Sequence, residues 1–177
     1  VDGDALLGPD RVRVGDAVIA MASSGLHSNG YSLARRVLLQ GSGPGLAATL
    51  PEFGRTVGEE LLEPTRIYAR DCLALAAAVE VHAFSHVTGG GLAANIARVL
   101  PDDVAIDIDR TTWSPAPVFD VIARTGAVDA RDMELTFNMG IGMTLVVPKK
   151  QTAQILAKTK GLLIGEITEG PGDVVLV

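Results

Sequence analysis

The chain has 177 residues, 47% of them hydrophobic and 20% charged, and its 15 Lys and Arg against 21 Asp and Glu give a formal net charge of −6. This length and composition predict one folded globular domain, residues 1–177, and exclude an intrinsically disordered chain. The acidic balance argues against nucleic acid as a partner, because binding a phosphate backbone requires a basic field.

The first part of the chain predicts a strand, a glycine-rich loop and a helix. The apolar run AVIAMAS at 17–23 is typical of a strand buried on both faces. The loop SSGLHSNG at 23–30 follows, and YSLARRVLLQ at 31–40 has the apolar spacing of an amphipathic helix. We expect Ser28 or Asn29 to cap this helix.

The middle of the chain predicts a helix, a strand and a second helix. The Ala- and Leu-rich stretch at 67–79, after the break at Pro64, favours a buried helix. HAFSHV at 82–87 predicts a strand that leads directly into TGGG at 88–91. The helix that follows, at 92–100, carries an apolar stripe.

The remaining residues continue the alternation of strands and helices. The pattern VAIDI predicts a half-exposed strand at 104–108, and a helix is expected after Pro115 and Pro117. The later elements are a helix at 129–135, a strand at 143–147, a helix at 151–158 and strands at 162–167 and 174–177. Six strands with interleaved helices indicate an α/β domain with a mixed sheet.

Two loops of small polar residues and glycine, at 23–30 and 86–91, each connect a predicted strand to a predicted helix. Glycine lets the backbone approach a ligand, and the helix start offers free N–H groups, so both loops fit an anion such as a phosphate. The alternative is that these glycines serve only as turn residues. A third cluster, FNMGIGM at 137–143, favours a bulge or close backbone packing on spacing alone.

His27 is the best acid or base candidate, since a histidine in a polar glycine loop can titrate near neutral pH. The alternative is a hydrogen-bonded loop residue that only binds. His82 and His86 are four residues apart, but no carboxylate or cysteine stands at ligand spacing, so we predict no metal site. Cys72 is expected to be a buried small hydrophobe, and Trp113 a packing anchor.

Several other classes of protein are disfavoured. The sequence contains no GxxxxGK[ST] motif, which excludes a P-loop. The single cysteine excludes an internal disulfide and favours a reducing compartment, and no apolar run reaches the ~18 residues that span a bilayer. We therefore predict a cytoplasmic protein without a membrane partner. Because Val1 is not a methionine, we expect a piece of a longer protein.

Four strings together resemble the C-terminal half of the phosphoribosylformylglycinamidine cyclo-ligase (AIR synthetase) family: SSGLHSNGYSL at 23–33, LLEPTRIY at 61–68, HVTGGGLAANIARVLP at 86–101 and FNMGIGM at 137–143. The resemblance implies a three-layer α/β/α domain with a mixed sheet of about six strands. It also implies a ligase of purine biosynthesis, which uses ATP to close the ring of formylglycinamidine ribonucleotide and form aminoimidazole ribonucleotide.

The resemblance further implies that ATP and Mg²⁺ are bound mainly by an N-terminal domain that is absent from this sequence. That half would also form the homodimer of the intact enzyme. The chain is therefore expected to fold but not to turn over by itself. Two alternatives remain open: a non-catalytic phosphate- or ribonucleotide-binding module, and another ATP-dependent member of the same superfamily.

The resemblance assigns roles to selected residues of the three glycine-rich segments. His27 is expected to act as general acid or base, or to position the formamide oxygen. The ribonucleotide pocket would be lined by Ser24, Gly25, Ser28, Asn29 and Gly30. A phosphate would be cradled by Thr88, Gly89, Gly90 and Gly91. The cleft wall would be shaped by Asn138, Gly140 and Gly142.

Overall fold

The structure is a computed structural model that describes Gly3 and residues 6–177. Its strands are β1 (Ala17–Ala22), β2 (Thr49–Leu50), β3 (Arg55–Thr56), β4 (Ala83–His86), β5 (Val104–Ile108), β6 (Ile141–Val147), β7 (Leu162–Glu169) and β8 (Val174–Leu176). Six of them form one mixed sheet in the order β4-β6-β1-β7-β5-β8, in which only β5 and β8 pair in parallel. The strands β2 and β3 form a separate short hairpin.

Helices connect and cover the strands. They are α1 (Tyr31–Leu39), α2 (Val57–Leu61), α3 (Ala69–Ala78), α4 (Gly91–Ala97), α5 (Pro117–Gly126), α6 (Ala130–Thr136) and α7 (Thr152–Thr159). Local sequence explains several starts: Thr56 and Glu59 form a capping box at α2, and the Asp129 side chain accepts the N–H of Asp132 at α6. None of the described helices has the length and hydropathy to cross a bilayer.

The sheet is covered on both faces, as the α/β prediction requires. Ile19 and Leu145 face one side, where α3 and α7 pack, and Val18 faces the other side with Ile96 of α4. A further apolar cluster holds α1, α5 and α6 together around Phe137, whose ring meets Phe119 edge to face. All six predicted strands of the main sheet are present, and the hairpin β2–β3 is an addition to them.

The helix predicted at 67–79 is present as α3, but the expectation that it is buried is wrong. Leu75 is its one buried residue, whereas Leu73 is 71% exposed and the nearby Ile67 is 81% exposed. Ala and Leu favour a helix through their intrinsic propensity, yet burial depends on what packs against the helix. Cys72 lies in the same helix and is only half-buried, whereas the sequence predicted a buried side chain.

The predicted cap of α1 is also wrong. Gly30 stands at the N-cap with a φ of 73°, and no side chain caps the helix. The hydroxyl of Ser28 lies instead 3.2 Å from the hydroxyl of Thr65. A Cβ at position 30 would lie 2.2 Å from Cε1 of Phe137, so close packing requires a glycine at this helix start.

Two other predictions concern single side chains. Trp113 does act as an anchor, because its indole N–H donates to the carbonyl of Met139 at 2.9 Å while its ring packs against the core. His82 is buried, and its Nδ1 lies 2.6 Å from Oδ2 of Asp16. No cluster of three potential metal ligands occurs within Gly3 and residues 6–177.

Gly91 supplies a stability prediction with a matched control two residues away. It has a φ of 74°, and a Cβ there would lie 1.7 Å from the carbonyl oxygen of Glu134. We expect Gly91→Ala to lower the free energy of unfolding by more than ~2 kcal/mol in urea titration. Gly89→Ala meets nothing within 4 Å and should be nearly neutral. Equal stability of the two variants would contradict the packing described here.

Candidate functional site

Three glycine-rich segments meet at one edge of the sheet, the edge formed by the ends of its strands. Because β6 lies antiparallel between β1 and β4, the ends of β1 and β4 and the start of β6 share this edge. The N–H of Ser23 donates to the carbonyl of Gly140 at 2.8 Å, and the N–H of Val87 donates to that of Gly142 at 3.0 Å. The loops at 23–30, 88–91 and 137–140, which are distant in sequence, therefore lie next to one another.

Asn138 fixes these loops through its buried side chain. Its amide nitrogen donates to the carbonyl of Gly25 at 2.8 Å. Its Oδ1 accepts from the hydroxyl of Ser23 at 3.0 Å and from the N–H of Gly140 at 2.8 Å. Its polar atoms are thus engaged within the protein, so Asn138 shapes the site by holding backbone.

The segment at 61–68 forms the opposite wall of the site. The Ser24 hydroxyl donates to the carbonyl of Pro64 at 2.7 Å and accepts the N–H of Arg66 at 3.1 Å. The hydroxyl of Tyr68 donates to the carbonyl of Ala22 at 2.8 Å. Between this segment and the loop lies an open cleft of about 380 Å³, lined by His27, Ser28, Tyr31, Leu61, Leu62, Glu63, Pro64 and Thr65.

His27 lies in the loop at 23–30, on the side of the cleft that faces this segment, with only 5% of its surface exposed and a φ of 58°. Its Nε2 accepts the N–H of Ser24 at 3.1 Å, so the neutral ring carries its proton on Nδ1. That Nδ1 is buried and has no hydrogen-bond partner among the residues described. Burial, followed by the charges of His86 and Arg66, lowers the pKa of His27 below its usual value. At neutral pH the ring is therefore uncharged, and its Nδ1–H donor has no acceptor among the described residues.

Two more rings surround His27. The ring centroids of His27, Tyr68 and His86 lie 6.0–6.4 Å apart, and the Arg66 guanidinium lies 5.1 Å from the centre of the Tyr68 ring. Burial raises the pKa of Tyr68 to about 12, so its hydroxyl stays protonated. A Cβ at Gly142 would lie 2.0 Å from Oη of Tyr68 and 2.6 Å from Cε1 of His27, so this glycine makes room for both rings.

Asn95 organises the TGGG loop, and sequence reasoning missed it. It is 3% exposed, and its amide nitrogen lies 2.7 Å from the carbonyl oxygen of Gly91 and 3.2 Å from that of Thr88. The Thr88 hydroxyl donates to its Oδ1 at 3.0 Å. The available signal was a polar residue beside Leu92 and Ile96 on the buried side of α4. Tyr68 and Arg66 were missed as well, although both lie in the string LLEPTRIY.

Most of the predicted site residues fall into two groups. Those whose polar side-chain atoms bond within the protein are Ser24, Ser28, Thr88 and Asn138. Those placed by backbone geometry are Gly25, Gly30, Gly90, Gly91 and Gly140, all with positive φ, together with Gly89 and Gly142. The exposed Ser28 and the half-buried Asn29 lie at the end of the loop beside His27, which is the one predicted residue with an unpartnered buried donor in the described part of the chain.

Comparison with known proteins agrees with this architecture. The family model described as "AIR synthase related protein, C-terminal domain" matches residues 13–177. A provisionally named phosphoribosylformylglycinamidine cyclo-ligase from Streptomyces fradiae is 58% identical over 163 residues, covering 89% of this chain and 90% of that protein. A phosphoribosylformylglycinamidine cyclo-ligase from Geotalea daltonii is 43% identical over 174 residues, covering 96% of this chain and 50% of that protein.

The chain therefore spans about half the length of the Geotalea relative. Among solved structures, the hydrogenase maturation protein HypE has a TM-score of 0.64 at 20% identity, covering 99% of this chain and 53% of that one. A structure of HypE in complex with ATP has a TM-score of 0.61 at 18% identity, covering 98% and 50%. These structures share the fold. The chain belongs to the family of AIR synthase related proteins, in which it matches the C-terminal domain.

Proposed function

We propose that the chain is the C-terminal, substrate-binding part of an ATP-dependent cyclo-ligase, which closes formylglycinamidine ribonucleotide to aminoimidazole ribonucleotide. The names of the curated relatives support this reaction. The observation that carries the proposal is the buried, unpartnered Nδ1 of His27 at the edge where three glycine loops meet. An unsatisfied buried donor costs ~1–3 kcal/mol, and a substrate oxygen at this position would remove that cost.

In the proposed reaction the formyl oxygen is phosphorylated and leaves as phosphate, while the amidine nitrogen forms the new bond to the formyl carbon and loses a proton. The contribution of this chain is to align these atoms, since orientation of reacting groups lowers the barrier substantially. We propose that Nδ1 of His27 donates a hydrogen bond to the formyl oxygen. Because Nδ1 carries the proton in the neutral ring, the geometry favours this positioning role over that of a base.

The neighbouring segments would hold the ribonucleotide. We propose that the loop comprising Ser24, Gly25, Ser28, Asn29 and Gly30 lines its pocket and that Thr88, Gly89, Gly90 and Gly91 cradle a phosphate. The wall made by Asn138, Gly140 and Gly142 would set the width of the cleft. Nothing lies within 4 Å of the position that a Cβ would take at Gly89, which favours close approach of a ligand to this backbone.

The described residues hold no group of three potential metal ligands, and we derive no step through Mg²⁺. We propose that ATP and Mg²⁺ bind mainly to an N-terminal domain, as the doubled length of the Geotalea relative suggests. Leu62, which lines the cleft, and Ile67 and Leu73, which follow in the chain, are 71–81% exposed and would pack against that domain. The complete enzyme would be a cytoplasmic homodimer, formed through the N-terminal domain.

Ring closure tests the function directly. Aminoimidazole ribonucleotide and phosphate are measured with ATP for the chain alone and for the chain joined to the N-terminal half of the Geotalea relative. We expect turnover only in the joined protein, with the intact relative as positive control. Turnover by the chain alone would contradict the proposed division between the two halves. An inactive joined protein that folds and binds ATP would favour a non-catalytic binding module.

Two substitutions separate the nitrogens of His27. In His27→Gln the side-chain amide replaces Nε2 and can still accept from Ser24, whereas in His27→Asn the amide nitrogen replaces Nδ1 and tolerates positive φ. We expect Gln to weaken the binding of formylglycinamidine ribonucleotide, which carries the formyl oxygen, by about tenfold, the equivalent of one hydrogen bond, and Asn to weaken it less. The dissociation constants come from calorimetry. The reverse order would assign the important contact to Nε2.

The titration of His27 gives a third test. NMR of the imidazole resonances should show a pKa below 6.5, the ordinary value for histidine, because burial disfavours the charged ring. Since the folded pKa is lowered, the residue contributes stability above pH ~6.5, and this contribution is lost as the pH falls through the folded pKa. The signal is assigned by its absence in His27→Gln. A pKa at or above the ordinary histidine value would argue against a neutral donor.

A further inference from the structure

A second cavity, of about 290 Å³, lies between α3 and the end of α7 and concentrates positive charge. Ala74 and Leu75 of α3 line it from one side, and Lys158, Thr159 and Lys160 line it from the other, with Arg66 and Asp71 completing the lining. Three cationic side chains therefore meet one carboxylate around a cavity, in a chain whose formal net charge is −6.

The two lysines of this cavity lack acidic partners. Neither Lys158 nor Lys160 forms an ion pair with a described carboxylate, and Asp71 pairs with Arg66 at 3.2 Å. The lysines just before the same helix are different: Lys149 pairs with Glu166 at 2.6 Å and Lys150 with Glu80 at 3.7 Å. The positive charge at the end of α7 is therefore left for an external anion.

Stabilisation of α7 by its C-terminal charges explains the position of Lys158 but not that of Lys160. Lys158 lies in the last turn of α7, where a cation favours the negative end of the helix dipole. Lys160 follows the helix in the left-handed conformation, with a φ of 53°, a position at which glycine is usually preferred. Lys160 therefore occupies a backbone conformation that disfavours a side chain, while its ammonium group lines the cavity.

The cavity adjoins the candidate site without belonging to it. Arg66 donates to the carbonyl of Ala22 at 3.1 Å and lies over the Tyr68 ring, so one arginine borders both regions. Leu162, at the start of β7, pairs with Ala20, which places the end of α7 at the same sheet edge. None of the lysines lines the cleft that contains His27.

We propose that this cavity is a binding site for a phosphate group, separate from the substrate cleft and independent of the proposed reaction. The two ammonium groups provide the charge. The guanidinium of Arg66 already donates to the Ala22 carbonyl and to Asp71, and its remaining N–H groups provide directed donors. The buried Leu75 and the exposed Ala74 form the α3 side of the cavity. Free phosphate and the phosphate of a nucleotide share this chemistry.

The test is an amide NMR titration of the 177-residue chain with inorganic phosphate and, separately, with AMP, at constant ionic strength maintained with chloride. We expect saturable shifts at Ala74 and at residues 158–161 with either probe. Tighter binding of AMP would identify a nucleotide as the source of the phosphate, and equal binding would identify free phosphate. Shifts confined to 23–30 and 88–91 would overturn the proposal.

Matched double variants decide whether the lysines are responsible. Lys158→Gln with Lys160→Asn removes two charges while asparagine tolerates the left-handed backbone. Lys149→Gln with Lys150→Gln removes the same charge beyond the other end of α7. We expect the first pair to weaken phosphate binding about fivefold or more, and the second pair to change it less than about twofold. Equal affinities in the two double variants would reduce the effect to net charge and refute a specific site.

Discussion

The architecture of the site depends on the close approach of three backbone segments at one sheet edge, around Phe137 and Asn138. Gly30 lies against the Phe137 ring, Gly91 lies against the carbonyl of Glu134, and Gly142 lies under the Tyr68 hydroxyl. Each contact leaves no space for a Cβ atom. Asn138 then joins the segments with buried hydrogen bonds, which are strong constraints because a lost partner would leave a buried polar group unsatisfied.

Under this constraint most polar side chains of the site hold loops in place, and one donor stays available for a ligand. Ser24, Thr88, Asn95 and Asn138 use their side chains to hold loops in place. His27 is held by Ser24 through Nε2 and keeps Nδ1 unpartnered within the described structure. A rigid frame of satisfied groups around one unsatisfied donor is the arrangement expected of a preorganised binding site.

Much of the fold could be predicted from local sequence patterns. The apolar run of β1 and the alternation in β5 identify strands, and glycine clusters mark the loops that the sheet order brings together. The exposure of α3 could not be predicted, because composition gives helix propensity while neighbours distant in sequence decide burial. The cap of α1 and the role of Asn95 depend on Phe137 and on loop carbonyls, which are contacts that no local pattern encodes.

The two outermost strands of the sheet, each paired on one side only, have a consequence for association between copies of the chain. The two edge strands are β4, with four residues, and β8, with three. An edge this short offers few unpaired N–H and carbonyl groups to a strand from another molecule. The longer strands β1, β6 and β7 all lie in the interior of the sheet, where both neighbours are occupied. The fold therefore protects its most apolar strands from intermolecular β-pairing simply through the order in which they are arranged.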